Sequence, residues 1–151
     1  MKLWVEAAEG SIGSAVRATI KGQVENISRQ VLSRGVRAVN AMRNAELEVL
    51  KGQRSGRVYR KPHSKATYTA SAPGEPPARR TGNLRMHWNG QVKRKSSADE
   101  STLIVAELES QEKYAGILEK GTSEMAPRPF AEKIKEKAMP EIERIYREPY
   151  T

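Results

Sequence analysis

The chain has 151 residues, a formal net charge of +9 and no cysteine. This length fits a single domain, residues 1–151, and the lack of thiols excludes disulfides and thiolate metal sites. Hydrophobic residues make up 37% of the chain and charged residues 30%, which predicts a thin core and a subunit that gains stability by association. We expect a soluble protein, because no stretch reaches the ~18–20 apolar residues of a membrane span.

The predicted elements begin with a long amphipathic helix over residues 14–50. Its apolar residues recur at steps of three, four or seven, which places them on one face. They are Val16, Ile20, Val24, Ile27, Val31, Ala38, Met42, Ala45 and Val49. Ser11 or Ser14 is expected to cap the start of this helix, and Gly52 is expected to end it.

The length of this helix is itself informative. At 1.5 Å per residue it would extend roughly 55 Å, whereas a small domain is about 30 Å across. Two glycines, Gly22 and Gly35, lie inside it at a cost of about 1 kcal/mol each relative to alanine. We therefore expect either a bend or break near Gly35 or a neighbouring chain that approaches closely at these glycines.

Residues 52–70, named here the basic hairpin, are predicted to form two short strands around a Lys-Pro-His-Ser turn. The strand formers are Val58 and Tyr59 on one side and Thr67, Tyr68 and Thr69 on the other. Its cations are predicted to contact a partner; they are Arg57, Arg60, Lys61 and Lys65. Cations interleaved with tyrosines are also typical of proteins that bind single-stranded nucleic acid.

The proline-rich arm, residues 71–83, contains too many chain-breaking residues for a helix or a central strand. Prolines restrict the unfolded chain, so such a loop loses little further entropy when it binds a groove. We interpret it as a docking arm, with a rigid surface crossover as the alternative. The predicted contact residues are Pro73, Gly74, Glu75, Pro76, Pro77, Arg79 and Arg80.

Two longer strands are predicted next, paired as an antiparallel hairpin. Leu84, Met86 and Trp88 alternate in the first strand, and Val92 continues the same phase. The second strand covers residues 102–108, which have a continuous apolar centre, and a polar turn joins the two.

The last third predicts two helices. A short helix carries Tyr114, Ile117 and Leu118 on one face and ends at Gly121. The final helix has Pro129 in its first turn and Pro140 as a kink or break. Its buried stripe is predicted to be Phe130, Ile134, Ala138, Ile142 and Ile145. The fold class is therefore α+β, with the long N-terminal helix and the C-terminal helix packed on one face of a small antiparallel sheet.

An enzyme active site cannot be assembled from this sequence, so we predict no catalytic, cofactor-binding or metal-binding residues and no cofactor. Glu107 and Glu109 share a strand face, but exposed pairs of this kind are common. His63 and His87 are 24 residues apart, in a turn and a strand. The pattern from Ser110 to Lys113 lacks the partner motifs of a Ser-x-x-Lys nucleophile.

Two motifs, in order and separated by the predicted strand hairpin, resemble the tail-component family of long-tailed double-stranded DNA phages. The first is the Pro-Gly-Glu-Pro-Pro loop followed by a Thr-Gly-x-Leu-Arg strand start, with Thr81, Gly82, Leu84 and Arg85. The second is a Tyr-Ala-x-x-Leu-Glu-x-Gly-Thr segment followed by an Arg-Pro-Phe helix start, with Tyr114, Leu118, Glu119, Gly121, Thr122, Arg128, Pro129 and Phe130.

The resemblance implies a structural virion protein of the phage neck, made in the bacterial host cytoplasm. Its expected partners are copies of itself in a ring of six, the head connector or adaptor, and tail tube or terminator proteins. Genomic DNA would pass through the channel without sequence-specific binding, and no membrane is involved. The alternative is a basic nucleic-acid-binding protein, since twelve of the 27 basic residues lie between residues 51 and 100.

The resemblance also implies local packing in the second motif. We expect Tyr114, Leu118 and Phe130 to pack together, with Gly121 in a left-handed conformation. Arg128 is expected to pair with a carboxylate such as that of Glu119.

Overall fold

The structure, a computed structural model, describes residues 11–96 and 102–151. Helices and strands occur in the order α1 (Ser11–Val49), β1 (Val58–Arg60), β2 (Thr67–Thr69), α2 (Asn83–Met86), β3 (Trp88–Ser96), β4 (Thr102–Ser110), α3 (Ala115–Lys120) and α4 (Ala131–Arg147). The strands form two antiparallel pairs, β1–β2 and β3–β4. The predicted α+β class is confirmed, while the turn predicted between β3 and β4 lies largely outside the described residues.

Helix α1 is continuous from Ser11 to Val49, so it does not break near Gly35, which was one of the two alternatives that the sequence left open. A Cβ atom at Gly35 would lie 3.0 Å from Cγ1 of Val92 and 3.3 Å from Cγ2 of Ile104, and one at Gly90 would overlap the side chain of Val39. These glycines therefore let β3 and β4 lie directly on α1. The close approach that the sequence indicated at Gly35 comes from the chain's own sheet, and Gly22 has no neighbour within 4 Å.

The core lies where the C-terminal half of α1 meets α4 and the sheet. Its buried residues are Ala45, Leu50, Ala115, Phe130, Ile134 and Ala138, with Trp88 and Leu118 packed against them. The ring of Trp88 meets that of Phe130 edge-on, with 6.1 Å between centroids. Trp88, Gly90 and Val92 share one face of β3 by alternation, so α1 and the start of α4 meet the same face of the sheet.

The predicted buried stripe of α4 is confirmed. Phe130, Ile134, Ala138 and Ile145 are buried, and Ile142 is partly buried. Pro140 lies inside one uninterrupted helix, and Pro129 precedes the helix by two residues instead of occupying its first turn.

Strand β3, which was predicted to begin at about Leu84, begins later than expected. Residues 83–86 form the helical turn α2, because Gly82 adopts a φ of 92° and its carbonyl accepts hydrogen bonds from Arg85 N and Met86 N at 3.1 and 3.0 Å. Strand pairing starts at Trp88, opposite Ser110. The alternation of apolar residues before Trp88 misled the prediction, since a single helical turn is too short to show its own period.

The two ends of α1 also differ from expectation. At its C-terminal end, Leu50 N donates a hydrogen bond to Glu46 O at 2.9 Å and Lys51 N donates one to Glu48 O at 3.2 Å. Gly52 lies beyond this turn and is not among the glycines with positive φ, so it does not supply a left-handed cap. The helix begins at Ser11, where the described residues begin.

Candidate assembly surfaces

The N-terminal half of α1 extends past the rest of the described structure. The side chains of Asn26 and Gln30 bond the backbone of Thr151, which follows α4. This half of α1 carries an apolar stripe made of Val16, Ile20, Val24 and Ile27. These four residues lie on the helical face that is buried further along at Ala38 and Ala45, yet between 43% and 57% of each is exposed. The helix thus carries an extension of its own core face that the described part of the chain leaves about half exposed.

The basic hairpin is confirmed as two paired strands. Val58 pairs with Thr69 and Tyr59 with Tyr68, and the tyrosine rings stack at 5.9 Å. The guanidinium of Arg57 lies 5.6 Å from the ring centroid of Tyr59. The outer face of this hairpin therefore presents aromatic rings beside a cation.

Hydrogen bonds to backbone carbonyls hold the tip of the basic hairpin in one conformation. Lys61 N donates to Ala66 O at 2.8 Å, Arg60 Nε donates to Ser64 O at 3.1 Å, and His63 adopts a φ of 56°. Arg60 and Lys65 are exposed, and Lys61 is half-buried. Because no acidic residue occurs between residues 51 and 74, this positive charge has no acidic neighbour along the chain.

Glu75 fastens the proline-rich arm to the base of the basic hairpin. Its carboxylate accepts hydrogen bonds from Ser55 Oγ at 2.5 Å, from Ser55 N at 3.0 Å and from Ala72 N at 2.9 Å. These bonds favour the ionised form, so they lower the pKa of Glu75 to about 2. The carboxylate that the sequence assigned to a partner is occupied within the subunit.

Further bonds hold the proline-rich arm against the body. Gly74 N donates to Pro127 O at 3.2 Å, Lys133 Nζ donates to Gly74 O at 2.9 Å, and Arg54 Nε donates to Pro77 O at 3.2 Å. Pro77 is buried and Pro76 is half-buried. The geometry fits the rigid-crossover interpretation for the subunit alone, and it leaves four of the predicted contact residues exposed, namely Pro73, Gly74, Arg79 and Arg80.

A cleft of about 410 Å³ opens between the end of the proline-rich arm and α3. We call it the basic cleft; its lining residues are Leu50, Pro77, Ala78, Arg79, Arg80, Thr81, Gly82, Asn83, Leu84, Arg85, Tyr114 and Leu118. Three of these residues are arginines, none is acidic, and the leucines and Pro77 supply apolar surface. The first motif, from Pro77 to Arg85, thus forms much of the wall of a cavity, which its sequence pattern did not reveal.

The second motif organises the start of α4. Glu119 Oε2 accepts hydrogen bonds from Phe130 N at 2.8 Å and Ala131 N at 3.1 Å. Arg128 donates instead to the carbonyls of Ala126 and Pro127, so the predicted pair between Arg128 and Glu119 is wrong. The physical reason is that the first amides of a helix have no partner inside it and compete for a carboxylate.

The turn after α3 requires glycine, as the sequence predicted. Gly121 has a φ of 75°, and a Cβ atom there would lie 2.6 Å from Met125 O and 2.8 Å from Pro127 N. Phe130 is 4% exposed and Leu118 packs against its cluster, which confirms that part of the expected packing. Tyr114 lies at the wall of the basic cleft with an exposed ring. The second motif therefore contributes Leu118 and Phe130 to the core, while Tyr114 lies at the surface.

A buried polar cluster near the end of α1 has no counterpart in the sequence-based predictions. Glu46 is fully buried; its Oε2 bonds Arg43, and its Oε1 has no hydrogen-bond partner. Burial raises the pKa of Glu46 to about 7, against the opposing effects of Arg43 and Arg85. Arg43 also donates to Arg85 O at 3.0 Å, which links α1 to α2. The available signal was the position of Glu46 on the apolar face of the predicted helix.

Glu107 and His87, two of the residues weighed as catalytic candidates, hold structural partners. Glu107 pairs with Lys93 across the sheet at 2.5 Å, and this bond lowers the pKa of Glu107. His87 Nδ1 lies 2.5 Å from Glu112 Oε1. Within residues 11–96 and 102–151 no group of three or more histidines or carboxylates is placed to hold a metal ion. The helices of these same ranges include none that is long and apolar enough to cross a bilayer.

The chain matches no protein-family model, no curated protein and no solved structure. The resemblance to phage tail components therefore stays a prediction carried by the two motifs and the order of the elements.

Proposed function

We propose that this chain is a structural protein of a phage neck, which forms a ring at the joint of head and tail and completes the tail. The observation that carries the proposal is the apolar stripe on α1. A run of exposed valines and isoleucines that continues a core face is costly to leave in water and is typical of a surface that associates. The proposed partners are copies of the same chain, the head connector or adaptor, and tail tube or terminator proteins.

The charge distribution supports this role. The basic hairpin and the exposed arginines of the proline-rich arm lie outside the core, where they can meet acidic protein surfaces. Such charges set the rate and the orientation of association more than its affinity. Genomic DNA would pass the ring without being held, because a strongly basic lumen would oppose its movement.

The proposal is tested in the virus that encodes the chain. Removal of the protein should leave filled heads and tails that do not join, and addition of purified protein to such an extract should restore joining. A ring of this chain in density of the virion neck, with the six copies that the family resemblance implies, is the expected structural result. Infectious particles that lack the chain would refute the proposal.

Nucleic-acid binding is the second candidate, and one observation favours it. The stacked rings of Tyr59 and Tyr68 beside Arg57 form the combination of aromatic face and cation on which single-stranded bases stack. This candidate predicts filter binding of single-stranded DNA at physiological salt, and loss of that binding in Tyr59→Ala. Retention of joining activity without measurable DNA affinity would eliminate it.

A further inference from the structure

The basic cleft has the chemistry of a peptide-binding site. Its volume, about 410 Å³, lies in the range of roughly 300–1,000 Å³ that is usual for ligand pockets. Leu50, Leu84 and Leu118 give it apolar surface, while Arg79 and Arg80 are exposed at its wall. An occupant that fits both features carries a large apolar side chain followed by carboxylates.

The chain itself contains such a segment outside the described residues. Residues 3–9 read Leu-Trp-Val-Glu-Ala-Ala-Glu, which combines three large apolar residues with Glu6 and Glu9. The other stretch that the structure does not describe, residues 97–101, is acidic but has no apolar residue larger than alanine. Charge and apolar content together therefore select residues 3–9.

Reach decides which copy of the chain supplies the segment. Leu50, in the wall of the basic cleft, follows the last residue of α1, whereas residues 3–9 precede its first residue, Ser11. The 39 residues of α1 span roughly 58 Å at 1.5 Å per residue. Trp4 is seven residues from Ser11, so even a fully extended chain places it at most about 25 Å away. The cleft of the same copy is out of reach.

We propose that the basic cleft binds residues 3–9 of a neighbouring copy, with Trp4 against the leucines and Glu6 and Glu9 at Arg79 and Arg80. This inference deepens the proposed function and rests on its ring. The contact joins two different surfaces of the chain, so it is head-to-tail, and such contacts generate closed rings or open filaments. The apolar stripe on α1 lies beside the inserted segment along the chain, where the next copy would cover it.

The test uses disulfide trapping, since the natural chain has no cysteine. Ala7→Cys lies inside the segment, and Thr81→Cys lies at an exposed position in the wall of the basic cleft. The double variant should form a ladder of covalent multimers under mild oxidation, and each single variant should give dimers at most. The matched control combines Ala7→Cys with Thr67→Cys, an exposed threonine on the basic hairpin.

The outcomes divide clearly. A ladder in the double variant that exceeds the control supports the inference. An intramolecular disulfide, a ladder equal to that of the control, or no ladder at concentrations at which light scattering detects association would overturn it. The last result would assign the cleft to another acidic partner and the association to another surface.

Charge exchange gives a second measurement that does not depend on cysteine chemistry. Arg79→Glu with Arg80→Glu should weaken self-association by roughly tenfold or more, and adding Glu6→Lys with Glu9→Lys should restore most of it. Arg79 and Arg80 are exposed and lie outside the core cluster, and the thermal unfolding of each variant checks that the subunit stays folded. Failure of the second pair to restore association would contradict the inference.

The inference and the proposed function fail in different ways. If the ladder forms but virions lack the chain, the contact stands and the neck assignment falls. If virions contain a ring of this chain but the double variant gives no ladder within purified particles, the ring stands and the contact falls.

Discussion

Glu46 is the residue whose protonation should control stability near neutral pH. Its folded pKa of about 7 lies above its ordinary value near 4.5, so the folded state holds the proton more tightly than the unfolded state. The free energy of unfolding should therefore fall as the pH rises from about 4.5 to 7 and then level off. Glu46→Gln should flatten this dependence.

Melting temperatures measured between pH 5 and pH 8 check the prediction for Glu46. Glu48→Gln is the matched control, because Glu48 lies on the same helix with an exposed side chain paired to Lys137. A Glu46→Gln profile parallel to that of the natural chain would show that the buried carboxyl does not titrate in this range.

Glu75 should act with the opposite sign and at lower pH. Its folded pKa of about 2 lies below its ordinary value, so the stabilisation is fully present above about pH 4.5 and is lost as the pH falls towards 2. Glu75→Gln should lower the melting temperature at pH 7, and the difference from the natural chain should shrink on acidification. Glu124→Gln, at an exposed position after α3, is the control. A difference that stays constant down to pH 2 would contradict the prediction.

Phe130 is the aromatic centre of the core. Its side chain is 4% exposed and meets Trp88 edge-on, so Phe130→Ala should cost ~3–5 kcal/mol of unfolding free energy. Urea unfolding measures the change, with Tyr146→Ala, an exposed aromatic on α4, as the control. An unchanged urea midpoint in Phe130→Ala would place this residue outside the folding core.

At the scale of elements, Gly22 and Gly35 of α1 distinguish the effect of helix propensity on stability from the effect of packing. Gly22 has no neighbour within 4 Å, so Gly22→Ala should stabilise by up to about 1 kcal/mol. Gly35 lies against Val92 and Ile104, so Gly35→Leu should destabilise because it pushes the sheet off the helix. Urea unfolding of the two variants should therefore move in opposite directions. Equal shifts would mean that β3 and β4 do not lie on α1.

Helices and strands that are long enough to show a repeating apolar pattern could be predicted from the sequence. Elements whose conformation depends on tertiary contacts could not. The stripe of α4 and the continuous apolar centre of β4 carry enough residues to reveal their period. The short turn α2 does not, because its conformation depends on the left-handed Gly82. The same holds for Gly35. A glycine on the apolar face of a helix predicts that another segment approaches closely, but it does not identify that segment.

The candidate surfaces divide in the same way. The basic hairpin was predictable because its strand formers and cations are contiguous. The basic cleft was not, since Leu50, Arg80 and Tyr114 come together only in the folded chain. Glu119 was assigned to the wrong partner because a pattern of side chains does not show the unpaired backbone N–H groups at the start of α4, which Glu119 bonds.

At the scale of the whole molecule, charge on the basic hairpin should control how fast the subunit finds its partner. Arg60→Glu with Lys61→Glu reverses two cations at the tip without touching the core. The variant should keep its melting temperature but slow the joining of heads to tails, because such charges act mainly on association rates. The effect should shrink at high salt, where charges farther apart than a Debye length, about 3 Å at 1 M, are screened.

A matched control tests whether the effect belongs to the hairpin or to net charge alone. Lys135→Glu with Arg147→Glu removes the same charge from exposed positions on α4. If both double variants slow joining equally, net charge is responsible and the hairpin is not a docking element. If the hairpin variant joins heads to tails at the natural rate but loses DNA affinity in filter binding, the nucleic-acid alternative explains its cations better, because only that partner would then depend on them.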